Sequence, residues 1–275
     1  MSATHAIVRS PLVPVRRSPE NGGEQVSQQT LGAVLEVIEQ AGDWALGRSD
    51  DGYEGWINVG GLILCGAERA VAWWDDAGGK PALVLDAVVV DESGDPLVRL
   101  PWGARVAVDG SVVRLPDGCS GQLAEGRWVE WEKLGGSYPQ DGSAVMATAK
   151  EWMGVPYVWG GLTRWGADCS GFVQAIYRVH GFLLPRDSYQ QAEIGEPIDA
   201  GAKFEGAQPG DLLFFRGRES PRVVHVAFSL GGSSILHAAE PNGLVKEDDL
   251  RGESELEGSL AKRLVSVRRL FWLSA

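Results

Sequence analysis

Three residues in this chain have the types and spacing to do chemistry together. Cys169 stands at a break between two kinds of sequence. Before it runs a loop rich in glycine and tryptophan, from Val158 to Ala167. After it, Phe172, Val173, Ile176, Tyr177 and His180 recur at helical spacing, and Gly181 supplies a stop. The cysteine is therefore expected at a helix N-terminus. Unpaired N–H groups and the positive end of the helix dipole there favour a thiolate, the form that attacks carbonyls. Further on, Val223 to Leu230 alternates like a half-buried strand, Gly231-Gly232-Ser233 is a turn signal, and Ser234 to His237 is a second strand. His225 and His237 are twelve positions apart. A loop centred on Gly231 sets them face to face across the strand pair, on one side of the sheet. One imidazole can then act as general base while the other fixes its tautomer and steadies its charge. Taken alone, Cys169 has a competing reading as an inert core cysteine; the two histidines turn the balance toward a nucleophile, base and orienter set.

The elements that must position these groups fall into three stretches. Residues 1–66 read as short strands separated by Gly, Asp, Asn and Ser clusters, with Asp50-Asp51-Gly52 as a hairpin signal, so a small barrel or sandwich is expected. Residues 67–136 repeat that grammar approximately, with Ala82–Val90, Ala104–Val108 and Ser111–Leu115 strand-like. Gly135-Gly136-Ser137-Tyr138-Pro139 has the composition of a linker. Residues 137–275 place helices first and strands after, the order of an α+β domain with an antiparallel sheet.

Composition narrows the partners. The net charge of -12 argues against nucleic acid, whose phosphates would be repelled, and against an anionic membrane surface. No run approaches transmembrane length. The start, Met1 to Arg9, lacks a long apolar core and a cleavage pattern. The three cysteines, Cys65, Cys119 and Cys169, have unrelated spacings and give neither a disulfide framework nor a zinc pattern. A reduced, cytoplasmic setting is the expectation, with no metal or other cofactor required. Oligomeric state is not legible.

Four blocks carry a resemblance. Pro156-Tyr157-Val158-Trp159-Gly160-Gly161, Asp168-Cys169-Ser170-Gly171-Phe172, Gln208-Pro209-Gly210-Asp211-Leu212-Leu213-Phe214-Phe215, and His225 with Leu236-His237-Ala238 occur in that order. In sequence and spacing they resemble the NlpC/P60 family of papain-like cysteine peptidases, from roughly Ala144 onward. Asp51-Gly52-Tyr53-Glu54-Gly55-Trp56-Ile57 is similar to a segment of bacterial SH3 domains. The resemblance implies two small all-β SH3-like barrels followed by an α+β papain-like domain. It further resembles the branch that cleaves the γ-D-glutamyl-L-diamino acid bond of small murein peptides with a free N-terminal L-Ala, in cell-wall recycling.

The resemblance implies roles residue by residue. Cys169 is the nucleophile, His225 the base and His237 its orienter. Tyr157 helps hold the oxyanion or substrate. Asp187, with Ser188 beside it, is the carboxylate for the substrate ammonium, although an Asp there also suits a helix N-cap. Tyr53 closes the pocket, and Glu24, preferred over Glu20, assists. Ser170 binds the D-Glu α-carboxylate through its hydroxyl or N–H. Two other functions fit the same sequence: an exported peptidoglycan hydrolase of broader specificity, and a catalytically inactive wall-binding protein.

Overall fold

The computed structural model describes residues 3–76 and 78–270; Met1 and Ser2, at the head of the N-terminal stretch read above, lie outside the described residues. The chain divides into two compact units, Met1–Ser137 and Tyr138–Ala275.

The first unit holds two antiparallel sheets. One is built from β1 (His5–Val8), β2 (Leu12–Arg16), β3 (Gln25–Thr30), β4 (Val34–Ala41), β5 (Trp44–Arg48), β6 (Glu54–Asn58) and β7 (Leu62–Cys65), in the order β3-β2-β6-β5-β4-β1-β7. Its β5–β6 hairpin turns at Ser49–Gly52, where Gly52 takes φ +80°, a value that disfavours any side chain. The second sheet follows helix α1 (Ala67–Asp76) and contains β8 (Lys80–Val90), β9 (Pro96–Leu100), β10 (Arg105–Asp109), β11 (Val112–Arg114) and β12 (Ser120–Glu130), in the order β10-β11-β12-β8-β9. Strand β10 also pairs with β8, which closes a ring of four strands. A short helix, α2 (Leu134–Ser137), ends the unit.

One expectation changes here. Residues 67–76 were expected to begin a second all-β module, but they form α1. Ala70 and Trp73 of that helix are buried against Ile7 and Cys65, so it covers the first sheet. The two modules are also stitched together: Leu31 of the first packs into the core of the second, Arg105 N–H donates to Leu31 O at 2.8 Å, and Thr30 Oγ1 donates to Gly103 O at 2.9 Å. They lie in one compact unit.

The second unit contains α3 (Gly142–Lys150), the short pair β13 (Leu162–Thr163) and β14 (Gly166–Ala167), α4 (Cys169–Val179), α5 (Ser188–Gln191), β15 (Glu196–Pro197), β16 (Leu212–Arg216), β17 (Val223–Gly231), β18 (Ser234–Ala239), β19 (Leu244–Asp249), α6 (Glu255–Ala261) and β20 (Leu264–Arg269). Its six-stranded antiparallel sheet runs β15-β20-β16-β17-β18-β19. Leu212 to Phe215 is an unbroken buried apolar run, as a central strand covered on both faces requires. One face packs Leu213, Phe215, Ala227 and Ile235 against Leu260 of α6. The other receives α4, whose Phe172 meets Phe228 with ring centroids 5.3 Å apart and whose Tyr177 stacks on the same ring at 5.7 Å. Burying each such aromatic is worth about 1.5–3 kcal/mol, so this contact fixes the cysteine helix to β17. Among the described residues no helix is long and apolar enough to cross a membrane.

Candidate active site

Cys169 is the first residue of α4, and Asp168 caps the helix, with Oδ1 accepting from Gly171 N–H at 2.8 Å. The other carboxylate oxygen, Oδ2, accepts from Gly160 N–H at 2.8 Å and so ties the glycine-rich loop to the helix start. That approach is close: a Cβ on Gly171 would come within 2.0 Å of Gly161 O, so only glycine fits. Arg186, fully buried, donates to both oxygens of Asp168, at 3.1 and 2.6 Å.

The Cys169 side chain is nearly enclosed, with 8 % of the residue's surface exposed. Its sulfur accepts backbone hydrogen bonds from Val226 and Ser170. Burial, reinforced by the Asp168 charge, pushes the thiol up to about 12. The expected thiolate is therefore not the resting form: N–H groups at the helix start and the Arg186 charge do not offset desolvation.

The two histidines meet, but not directly opposite each other. Strands β17 and β18 pair from Phe228–Leu236 to Gly231–Ser234, with an irregularity between Ser229 and Gly231. The turn residues are Gly232 and Ser233, so the turn is centred beyond Gly231. The histidines are thus diagonal neighbours, and side-chain alternation still puts them on one face, that of Ala227 and Ile235. His225 Nε2 and His237 Nδ1 are 2.8 Å apart. Phe215 lies against the His225 ring at 5.6 Å. Burial, reinforced by the neighbouring His237 and Arg263, holds His225 well below the usual histidine range, so its ring is a neutral base. Helix α4 covers the opposite face, yet its first sulfur reaches the Val226 N–H, one peptide beyond His225. The sulfur is thus bonded at the residue that follows His225 in β17.

Sequence reasoning missed the next group. His237 Nε2 lies 2.8 Å from Asp248 Oδ2, and Asn242 Nδ2 donates to that same oxygen at 2.7 Å, while Lys246 Nζ reaches Oδ1 at 2.9 Å. Burial alone would raise the Asp248 carboxyl, but the hydrogen bonds from His237, Lys246 and Asn242 prevail and hold it at about 2. The β18–β19 register, with Ile235 opposite Asp248, is what brings this carboxylate to the histidine face.

The remaining predicted residues are placed as follows. Tyr157 is half-buried, and its N–H donates to Gly243 O at 2.8 Å. Burial, reinforced by the neighbouring Cys169 and Asp168, pushes its phenol up, so it stays a proton donor. The Ser170 hydroxyl is taken by Asp168, at 3.3 Å, and by Arg186, at 2.9 Å, within a buried network. Asp187 occupies the N-cap position of α5 but makes no side-chain cap bond there. It is partly buried, and that burial raises its carboxyl despite Arg186, Arg222 and a hydrogen bond from Tyr189. Ser188 is buried beside it. In the other unit, Glu24 pairs with Arg17 at 2.6 Å, and Tyr53 is half-buried just before β6.

A cysteine at a capped helix start with a histidine pair on the neighbouring sheet is the arrangement of a cysteine peptidase. Residues 154–269 match the NlpC/P60 family, and residues 15–62 match the bacterial dipeptidyl-peptidase SH3 domain. The chain belongs to the NlpC/P60 family. It is 28 % identical over 243 residues to a gamma-D-glutamyl-L-lysine dipeptidyl-peptidase of Bacillus cereus, a match covering 79 % of this chain and 68 % of that protein. A protein of the same description from Bacillus subtilis is 34 % identical across 48 % of this chain and 43 % of its own length. A probable endopeptidase of Haemophilus influenzae is 38 % identical, over 38 % of this chain and 68 % of that protein. The crystal structure of an NlpC/P60 family protein from Bacillus cereus superposes with a TM-score of 0.78, covering 97 % of this chain and 99 % of that one at 22 % identity.

Proposed function

We propose that this chain is a cysteine peptidase that hydrolyses the γ-D-glutamyl-L-diamino acid bond of small murein peptides with a free N-terminal L-Ala, as in cell-wall recycling. The observation that carries the chemistry is the His225–His237 contact beside the strand position that hydrogen-bonds the Cys169 sulfur.

Because thiol and imidazole rest neutral, attack and proton transfer proceed together. As sulfur attacks the amide carbonyl, His225 takes the thiol proton; the Cys169 backbone N–H and the Tyr157 hydroxyl receive the developing oxyanion. His225 then passes the proton to the leaving amine. Water, deprotonated by the same imidazole, attacks the thioester and frees the acid and the thiol.

Asp187 is the proposed partner of the substrate ammonium. A partly desolvated carboxylate with a raised pKa gains most from an arriving cation, and a blocked amine would leave it uncompensated. Ser170 is proposed to assist at the D-Glu carboxylate. Our proposed organisation keeps an SH3-like module at 1–66, a related β module at 67–136 and the peptidase domain at 137–275. The relatives named murein DD-endopeptidases match only 38 % of this chain, whereas the dipeptidyl-peptidase match spans 79 %, which favours the free-amine reading over a broader wall hydrolase.

The test is cleavage of L-Ala-γ-D-Glu-L-Lys, and of the meso-diaminopimelate analogue, followed by chromatography with and without N-acetylation. Release of L-Ala-γ-D-Glu is expected, with acetylation lowering kcat/KM about 100-fold. Equal rates on both forms would remove the ammonium from the account.

A further inference from the structure

We propose that Asp248 is a positioning residue that sets which nitrogen of His225 carries the proton, acting through His237; its consequence for catalysis rests on the peptidase reading above. Asp248 Oδ2 accepts from two sides, His237 Nε2 at 2.8 Å and Asn242 Nδ2 at 2.7 Å. An ionised carboxylate can only accept, so His237 must place a proton on Nε2. With one proton per ring, His237 Nδ1 is then bare and must accept from His225 Nε2, 2.8 Å away. That leaves His225 Nδ1 bare, which is the nitrogen able to take the thiol proton. One carboxylate thus orders two imidazoles in a single direction, with the bare nitrogen at the His225 end.

The surroundings make this order depend on the carboxylate. The other groups facing it, the Asn242 amide and the Lys246 ammonium, point donors at it. Without Asp248, those donors can serve His237 only if its Nε2 is bare. The chain of bonds then reverses: His237 donates from Nδ1 to His225 Nε2, and His225 carries its proton on Nδ1, where it cannot act as base. An asparagine at 248 can preserve the order. Its carbonyl oxygen can serve His237 and Asn242, while Lys246, whose side chain is 42 % exposed, turns to water.

The test is long-range 1H–15N correlation on protein labelled with 15N-histidine, which has four histidines to resolve, with His225 assigned from the His225→Gln variant. It needs no substrate, so it judges the proton order independently of what the enzyme cleaves. Wild type is expected to carry Nε2–H on both His225 and His237, Asp248→Ala to carry Nδ1–H on His225, and Asp248→Asn to retain the wild-type pattern. In turnover, Asp248→Ala should lower kcat about 100-fold with little change in KM, and Asp248→Asn should lose less than about tenfold. Nδ1–H on His225 in the wild-type protein overturns the proposal even if Asp248→Ala does not fold. So does an unchanged pattern in Asp248→Ala, or an equal loss of kcat in both variants.

Discussion

The Asp168 carboxylate and the Arg186 guanidinium form a buried two-point ion pair, at 2.6 and 3.1 Å, at the residue that caps the Cys169 helix. Their side chains are 8 % and 1 % exposed. The pair holds loop, helix start and the Ser170 hydroxyl in one network. Replacing Arg186 by methionine leaves a carboxylate buried without its counter-ion, and unfolding in urea should show a loss of about 3–5 kcal/mol. A loss under about 1 kcal/mol would mean that the network is held by other contacts.

The neutral resting thiol has a kinetic signature. With the sulfur pushed up to about 12, its thiolate fraction grows with every step in pH through the neutral and mildly basic range. Alkylation of Cys169 by iodoacetamide should therefore accelerate about tenfold per pH unit from 7 to 10. A rate already level across that range would show a preformed thiolate–imidazolium pair.

Asp248 links the site to stability in acid. Its carboxyl is depressed from 3.8 to about 2, so its contribution is fully present above pH 4 and is lost as pH falls through 2. The difference in unfolding free energy between wild type and Asp248→Asn should thus shrink by about 2 kcal/mol on going from pH 6 to below pH 2. A constant difference would remove the carboxylate's charge from the explanation.

Tyr157 keeps its phenolic proton because burial raises it, and it is the proposed side-chain donor to the oxyanion. Tyr157→Phe should lower kcat by about 10- to 100-fold and leave KM nearly unchanged. A rise in KM at constant kcat would assign Tyr157 to substrate binding alone.

Much of the site was legible because its signals are local. Helical spacing from Phe172, a glycine-rich loop before it and Gly181 after it locate the cysteine at a helix start, and parity alone puts His225 and His237 on one face. The register was not legible. Whether the turn centres on Gly231 or on Gly232-Ser233 depends on two adjacent glycines that both take positive φ, at +103° and +60°. Asp248 was hidden for a different reason. Asp248-Asp249 reads as an ordinary acidic edge, and its contact with His237 arises only from how β19 registers on β18. The sulfur's charge state also escaped the sequence, since a helix N-terminus argues for thiolate while burial, visible only in three dimensions, argues more strongly against it. In the first unit, α1 was lost among strand-like neighbours because the residues described as buried in it, Ala70 and Trp73, are too few to show a helical period.

Cleavage of L-Ala-γ-D-Glu-L-Lys by wild-type protein and by Cys169→Ala, both checked for the folded state by thermal melting, is the most direct test of the site. Wild type should release L-Ala-γ-D-Glu, and the variant should fall by about 10,000-fold or more. Retention of peptide cleavage within tenfold in Cys169→Ala would contradict the account, because no sulfur would then be needed for the reaction.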